Sequence, residues 1–195
     1  MSPRDPAGEQ RVGKPRLPRM RPSSLSDDQR ALYEAIAGGP RASGPFPLVG
    51  EDGALEGPFN AMLLQPALGA ALQGLGAAVR YRTGLTARAR EIAVLTVARV
   101  WDSAFERHAH EAVGRAAGMS DAELAALREG DPSAFPDPYE RMVLSIATAL
   151  ASRSDLTDHE YAEAVGVLGR PIVFELTTLV GYYATLALQL RVFRV

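Results

Sequence analysis

Three segments of this chain carry the same four-residue signature: Ser26-Asp-Asp-Gln29, Ser120-Asp-Ala-Glu123 and Thr157-Asp-His-Glu160. In each, the leading hydroxyl is placed to accept from the backbone N–H three residues on. The Gln or Glu at that position reaches back to the N–H of the leading residue. Such a box marks a helix start, where the first four N–H groups have no partner inside the helix. Behind the boxes, apolar residues recur at three- and four-residue spacing, and no run sustains period-two alternation. The pattern predicts an all-α fold.

The first box opens a helix through Ala37, and the Gly- and Pro-rich stretch Gly38–Gly57 must then be irregular. Loops of that length in compact domains are often lids or interface straps. Gly57-Pro-Phe-Asn60 leads into a helical run broken near Pro66, after which Leu68, Leu72, Leu75 and Val79 repeat at helical spacing. Thr86 caps a helix that places Ile92, Leu95 and Thr96 on one face and ends near Trp101-Asp102. A helix over Ser103–Ala117 follows, closed by Gly118. The second box leads to Gly130-Asp-Pro132, Pro136–Ser152 is amphipathic, and the third box runs to Leu168. Gly169-Arg-Pro171 resets the chain before a long apolar helix. Its segment Ile172–Leu190 approaches membrane-span length, but Glu175, Gln189 and three threonines interrupt it. It reads as a buried helix.

Residues 1–24 hold five prolines and six Lys or Arg against two acids, with few large apolar side chains. Such a segment buries too little to offset ordering entropy, so a mobile tail is expected, followed by one domain over 25–195. From residue 25 on there are 15 basic and 21 acidic side chains, a net charge of −6, which argues against a nucleic-acid groove. The chain has no cysteine, hence no disulfide, no thiolate metal site and no thiol redox chemistry. No apolar core of a secretory signal stands near the N-terminus. The expectation is a soluble, cytoplasmic protein that binds neither nucleic acid nor membrane.

Function concentrates in Arg90–Gly118, REIAVLTVARVWDSAFERHAHEAVGRAAG. Glu106 and His110 are one helical turn apart and Ser103 lies two turns before His110, so all three share a face. His108 points some 200° from His110, so His-Ala-His is no ready metal clamp. A carboxylate beside an imidazole makes a proton-transfer pair if half-buried and an ordinary surface pair if not. Glu91 has two readings as well: a first-turn residue complementing the helix dipole, or, if it points inward, a second acid or base. Metal binding through Glu91, Glu106 and His110 has no diagnostic spacing, and no metal is expected.

Gly57-Pro-Phe-Asn60, Leu72–Tyr81, Arg90–Gly118 and Val180-Gly-Tyr-Tyr183 together resemble the carboxymuconolactone decarboxylase family and its alkylhydroperoxidase D-like relatives. The resemblance spans about Ser26 to Val195 and fits a longer, cysteine-free subgroup. It implies a helical bundle that forms homo-oligomers, often trimers or hexamers, with active sites close to subunit interfaces. The peroxidase relatives carry a glutamate, then CxxC, then a histidine four beyond the second Cys. Laid on this chain, that frame falls on Glu91, Ser103, Glu106 and His110. Both thiols are absent, so thiol peroxidase activity is not expected.

The resemblance implies a cofactor-free lyase or isomerase for a small, carboxylated, lactone-like or enolisable compound. In the family's namesake reaction the substrate's own conjugated system takes the electrons released with CO₂. His110 would then transfer the proton, with Glu106 orienting it, Glu91 as a second acid or base, and Ser103 as a hydrogen-bonding group. Trp101 and Phe105 would supply apolar walls and Arg107 a cation for a substrate carboxylate. The other reading is a non-catalytic oligomeric binding protein that kept the fold without its redox cysteines.

Overall fold

The computed structural model of the chain describes residues 14–194. Nine α-helices are found among them: α1 Asp27–Ala37, α2 Pro58–Met62, α3 Pro66–Tyr81, α4 Ala87–Val100, α5 Ala104–Ala116, α6 Asp121–Glu129, α7 Pro138–Arg153, α8 Asp158–Leu168 and α9 Arg170–Phe193. The described residues contain no strand, only an isolated bridge between Val49 and Leu55. The expected capping boxes at Ser26, Ser120 and Thr157 are all formed, and Thr86 caps α4 through the Ala89 N–H. Each predicted helix is present, with ends moved by a residue or two where prolines or caps set them.

The bundle is arranged around α4, which touches α5, α6, α7 and α9. Sequence pattern suggested one buried face, yet Ala89, Ile92, Ala93, Val94, Thr96, Val97 and Ala98 are all fully buried. This helix is covered on every side. Burying an Ile, Val or Leu side chain contributes about 1.5–3 kcal/mol, so α4 carries a large share of the core. Thr96 is accommodated because its hydroxyl donates to the Ile92 carbonyl. Helix α9 is the described helix long and apolar enough to cross a membrane, and it serves here as a core helix packed on α2, α3, α4, α7 and α8.

Between α4 and α5 the chain reverses through Trp101 and Asp102, the latter in the left-handed region at φ 49°. That turn folds α5 back along α4, with the Ser103 N–H donating to the Ala98 carbonyl. The long strap of residues 38–57 is irregular, as expected, apart from one 3-10 turn over Pro40–Ser43, and ends at Gly57, whose φ of 55° suits glycine. A Cβ there would also fall 2.2 Å from the Phe105 ring, so a bare backbone lets that ring lie against the chain.

The expected mobile tail over 1–24 is corrected in its second half; residues 1–13 lie outside the described residues. Leu17 is buried, and the Arg16 N–H donates to the Phe193 carbonyl. Arg19 pairs with both Asp52 and Glu56 at 2.7 Å. Asn60, itself buried, accepts from the Met20 N–H and donates to the Pro18 carbonyl, each at 3.0 Å. Composition indicated too little apolar surface to order this stretch, but backbone partners and two strap acids hold it. Asn60→Ala leaves both backbone groups without their partner, a loss of about 1–3 kcal/mol. Urea unfolding checks the loss, and faster amide exchange over residues 17–21 checks its location; unchanged exchange would show that Asn60 does not pin this segment.

Candidate active site

Helix α4 sends Glu91 inward from its first turns, where it is only 1% exposed. The surface, dipole-complementing reading is thereby set aside. From α5 comes His110, whose Nδ1 stands 2.6 Å from Glu91 Oε2. A carboxylate on Nδ1 fixes the ring and leaves Nε2 as the nitrogen available to the cleft that His110 lines. Two cations complete the surroundings of Glu91: Arg80 at 3.7 Å and Arg90 at 4.0 Å from Oε1. The Tyr183 ring meets the imidazole edge to face at 5.1 Å and restricts its tilt.

The orienting carboxylate of His110 is therefore Glu91 and not Glu106. Spacing put Glu106 on the right face, but two carboxylates compete for one ring and the one on α4 holds Nδ1. Glu106 is 2% exposed, and neither carboxyl oxygen has a hydrogen-bond partner among the described residues. Burial pushes its carboxyl up to about 8, against a smaller pull from the Ser103 hydroxyl. At neutral pH Glu106 is thus a neutral acid that can donate. Tyr182, pushed up by burial to about 12, keeps its proton as well.

These groups face a cleft of about 90 Å³. Its floor is formed by Glu106, Ala109, His110 and Val113 of α5 and by Tyr182, Tyr183 and Leu186 of α9. The strap closes one side through Arg41, Phe46 and Leu48, and the end of α3 adds Arg80 and Tyr81. Phe105 lines the cleft as expected, meeting Phe46 edge to face at 5.6 Å. Ser103 is buried at the start of α5, behind Glu106, and does not line the cleft. Trp101 and Arg107 do not reach it either. Trp101 lies beside α7 and α9 and accepts from Arg191 through its carbonyl. Arg107 sits across α5 with Arg99, Glu111 and Arg128, because one residue further along a helix is about 100° further round. Among the described residues no three His, Asp or Glu side chains come together as a metal site.

Arg41, Arg80, Phe46, Tyr182 and Tyr183 line the cleft without having been singled out as site residues. Signals existed for some of them. Loops as long as the strap are often functional, and Tyr182-Tyr183 is a pair of adjacent tyrosines in a largely apolar helix.

Residues 66–148 match the model of the Carboxymuconolactone decarboxylase family. Over 92% of this chain and 90% of the other, the fold superposes on an alkylhydroperoxidase AhpD core, an uncharacterized peroxidase-related protein from Ralstonia eutropha JMP134, with a TM-score of 0.73 and 16% identity. No curated protein matches the sequence significantly. The chain is thus similar to the carboxymuconolactone decarboxylase family over residues 66–148, and its fold is similar to that of an alkylhydroperoxidase AhpD core. The glutamate and histidine of the expected frame are in contact, and its two thiol positions hold Ser103 and Glu106.

The raised Glu106 carboxyl has a consequence for stability. Folded protein holds this proton from about pH 4.5 to about pH 8, where the unfolded chain has released it. The stabilisation is complete below the unfolded value and is lost as pH rises through 8, on the order of 5 kcal/mol at most. Urea unfolding should therefore show stability falling between pH 5 and 8, and Glu106→Gln, which cannot ionise, should flatten that slope. An equal slope in the variant would remove Glu106 as its source.

Proposed function

We propose that this chain is a cofactor-independent acid–base lyase or isomerase acting on a small enolisable or lactone-like acid. The observation that carries the reading is the pairing, at one cleft, of a carboxylate-held imidazole with a buried neutral carboxylic acid. Two proton-handling groups in opposite states are what a reaction through an enolate requires. His110 Nε2 takes or returns the proton at the reacting carbon, and Glu91 stabilises the imidazolium formed when it does. Glu106 donates to the oxygen on which charge develops, in surroundings dry enough to make that hydrogen bond strong. In a decarboxylation, the bond to the carboxylate breaks, CO₂ leaves, and the electron pair enters the substrate's conjugated carbonyl. Protonation of the resulting dienolate then completes the turn. In an isomerisation the same groups move one proton between two carbons of that system. The roles of the two glutamates are exchanged relative to the sequence-based expectation.

The reaction is tested on a panel of conjugated lactone acids, followed by ultraviolet absorbance and CO₂ release. His110→Ala should lower kcat by roughly 10²- to 10⁴-fold with the helical signal intact. Wild-type rates should fall as pH rises through about 8, where Glu106 loses its proton, and Glu106→Gln should lose that limb of the profile. Equal turnover by folded His110→Ala sinks the acid–base reading. Tight binding of panel members with no turnover by the wild type favours a non-catalytic binding protein.

We also propose that copies of this chain associate, since Leu64, Leu68 and Leu75 are 49%, 66% and 42% exposed along α3 and its approach. Three leucines on one surface strip are a sizeable apolar area for a monomer to leave in water. Light scattering should report an oligomer, which Leu68→Glu shifts to smaller species; a monomeric wild type refutes the association.

A further inference from the structure

Among the described residues, one charged group at the cleft has no ionic partner. Glu56 is paired with Arg19, while Arg80 and His110 both face Glu91. Arg41 has no carboxylate within 4 Å; its Nη1 donates only to Gln73 Oε1, at 3.3 Å. Its guanidinium lies 5.6 Å over the Phe59 ring and 6.0 Å over that of Tyr81. Aromatic faces hold such a cation flat and leave its N–H edge free for an anion.

That edge has a second donor beside it. A Cβ built on Gly76 would fall 2.8 Å from Arg41 Nη2 and 2.1 Å from the Tyr182 hydroxyl. Both groups thus close over one bare turn of α3, in space that any side chain at 76 would fill. The Tyr182 hydroxyl keeps its proton and so remains a donor. Tyr182 lies close enough to Glu106 to feel its charge once that carboxyl ionises, which places this pair near the acid of the proposed reaction. A guanidinium and a hydroxyl side by side present two N–H or O–H donors to the two oxygens of one carboxylate.

We propose that Arg41 and the Tyr182 hydroxyl form the carboxylate subsite of the cleft, which therefore selects a flat, ring-sized, apolar monocarboxylate. The ring lies against Phe46, Phe105 and Leu186, and the anion sits on the cleft side of the Arg41 guanidinium and the Tyr182 hydroxyl, which Gly76 lets pack against α3. This deepens the acid–base reading and rests on it for the reaction, while the binding preference stands on Arg41 alone. It also replaces Arg107 as the residue that receives the substrate's carboxylate. Because Arg41 belongs to the strap, anion binding ties that strap to α3 and α9.

Benzoate and its neutral isostere benzamide test the subsite by calorimetric titration of the full chain. Benzoate should bind roughly tenfold or more tightly, the scale of a charge-assisted hydrogen bond. Arg41→Gln should abolish that preference with benzamide affinity unchanged, the latter confirming an intact cleft. Tyr182→Phe should weaken benzoate several-fold and leave benzamide alone. Equal binding of the two probes, binding of neither, or a preference that survives Arg41→Gln overturns the assignment. A preference that persists in His110→Ala separates the two proposals: turnover fails with His110, anion selection with Arg41.

Discussion

A carboxylate sunk to 1% exposure near the start of a helix covered on all sides sets the terms for the rest of this structure. Glu91 cannot reach water, and a buried charge left unmatched costs several kcal/mol. Its partners must therefore be brought in by other helices. His110 arrives because the chain reverses at Trp101–Asp102 and lays α5 along α4. Arg80 arrives because α3 ends beside that contact. Matching one glutamate brings side chains of α3 and α5 to α4, and the cleft lies on the far side of His110, lined by α3, α5, α9 and the strap, with Glu91 behind its wall.

The second glutamate at the cleft is buried almost as deeply, with the opposite outcome. Glu91 is ringed by an imidazole and two guanidinium groups. Glu106 has none of these, and burial outweighs the pull of the Ser103 hydroxyl, so it retains its proton. Two like side chains are thus set apart by their neighbours. The chemistry this allows needs no sulfur, in keeping with a chain that contains no cysteine. The likeness to an alkylhydroperoxidase AhpD core, at 16% identity, is one of fold, and a fold alone does not fix the chemistry it carries.

The strap and the segment before α1 show where composition misleads. The strap is rich in glycine and proline, the segment in proline and arginine, and neither has a helical or strand pattern. The segment was expected to be free, yet Arg19 binds two strap acids and Asn60 binds its backbone on both sides. The strap in turn carries Arg41 and Phe46 to the cleft. Polar partners distant in sequence order these stretches, and such partners leave no periodic trace.

Helix identity and order were legible in the amino-acid sequence because caps, breakers and apolar spacing act within a few residues of one another. The capping boxes, the stop at Gly130 and the reset at Gly169 are local devices and were formed where expected. The pairing of Glu91 with His110 across 19 residues was expected only as membership of one frame, not as the dyad itself. Spacing can put Glu106 and His110 on one face, but a hydrogen bond goes to whichever acceptor tertiary packing delivers to the ring nitrogen. Packing likewise carried Trp101 and Arg107 to other faces and brought Arg41 in from the strap, because direction around a helix and reach across a bundle depend on what each helix is pressed against.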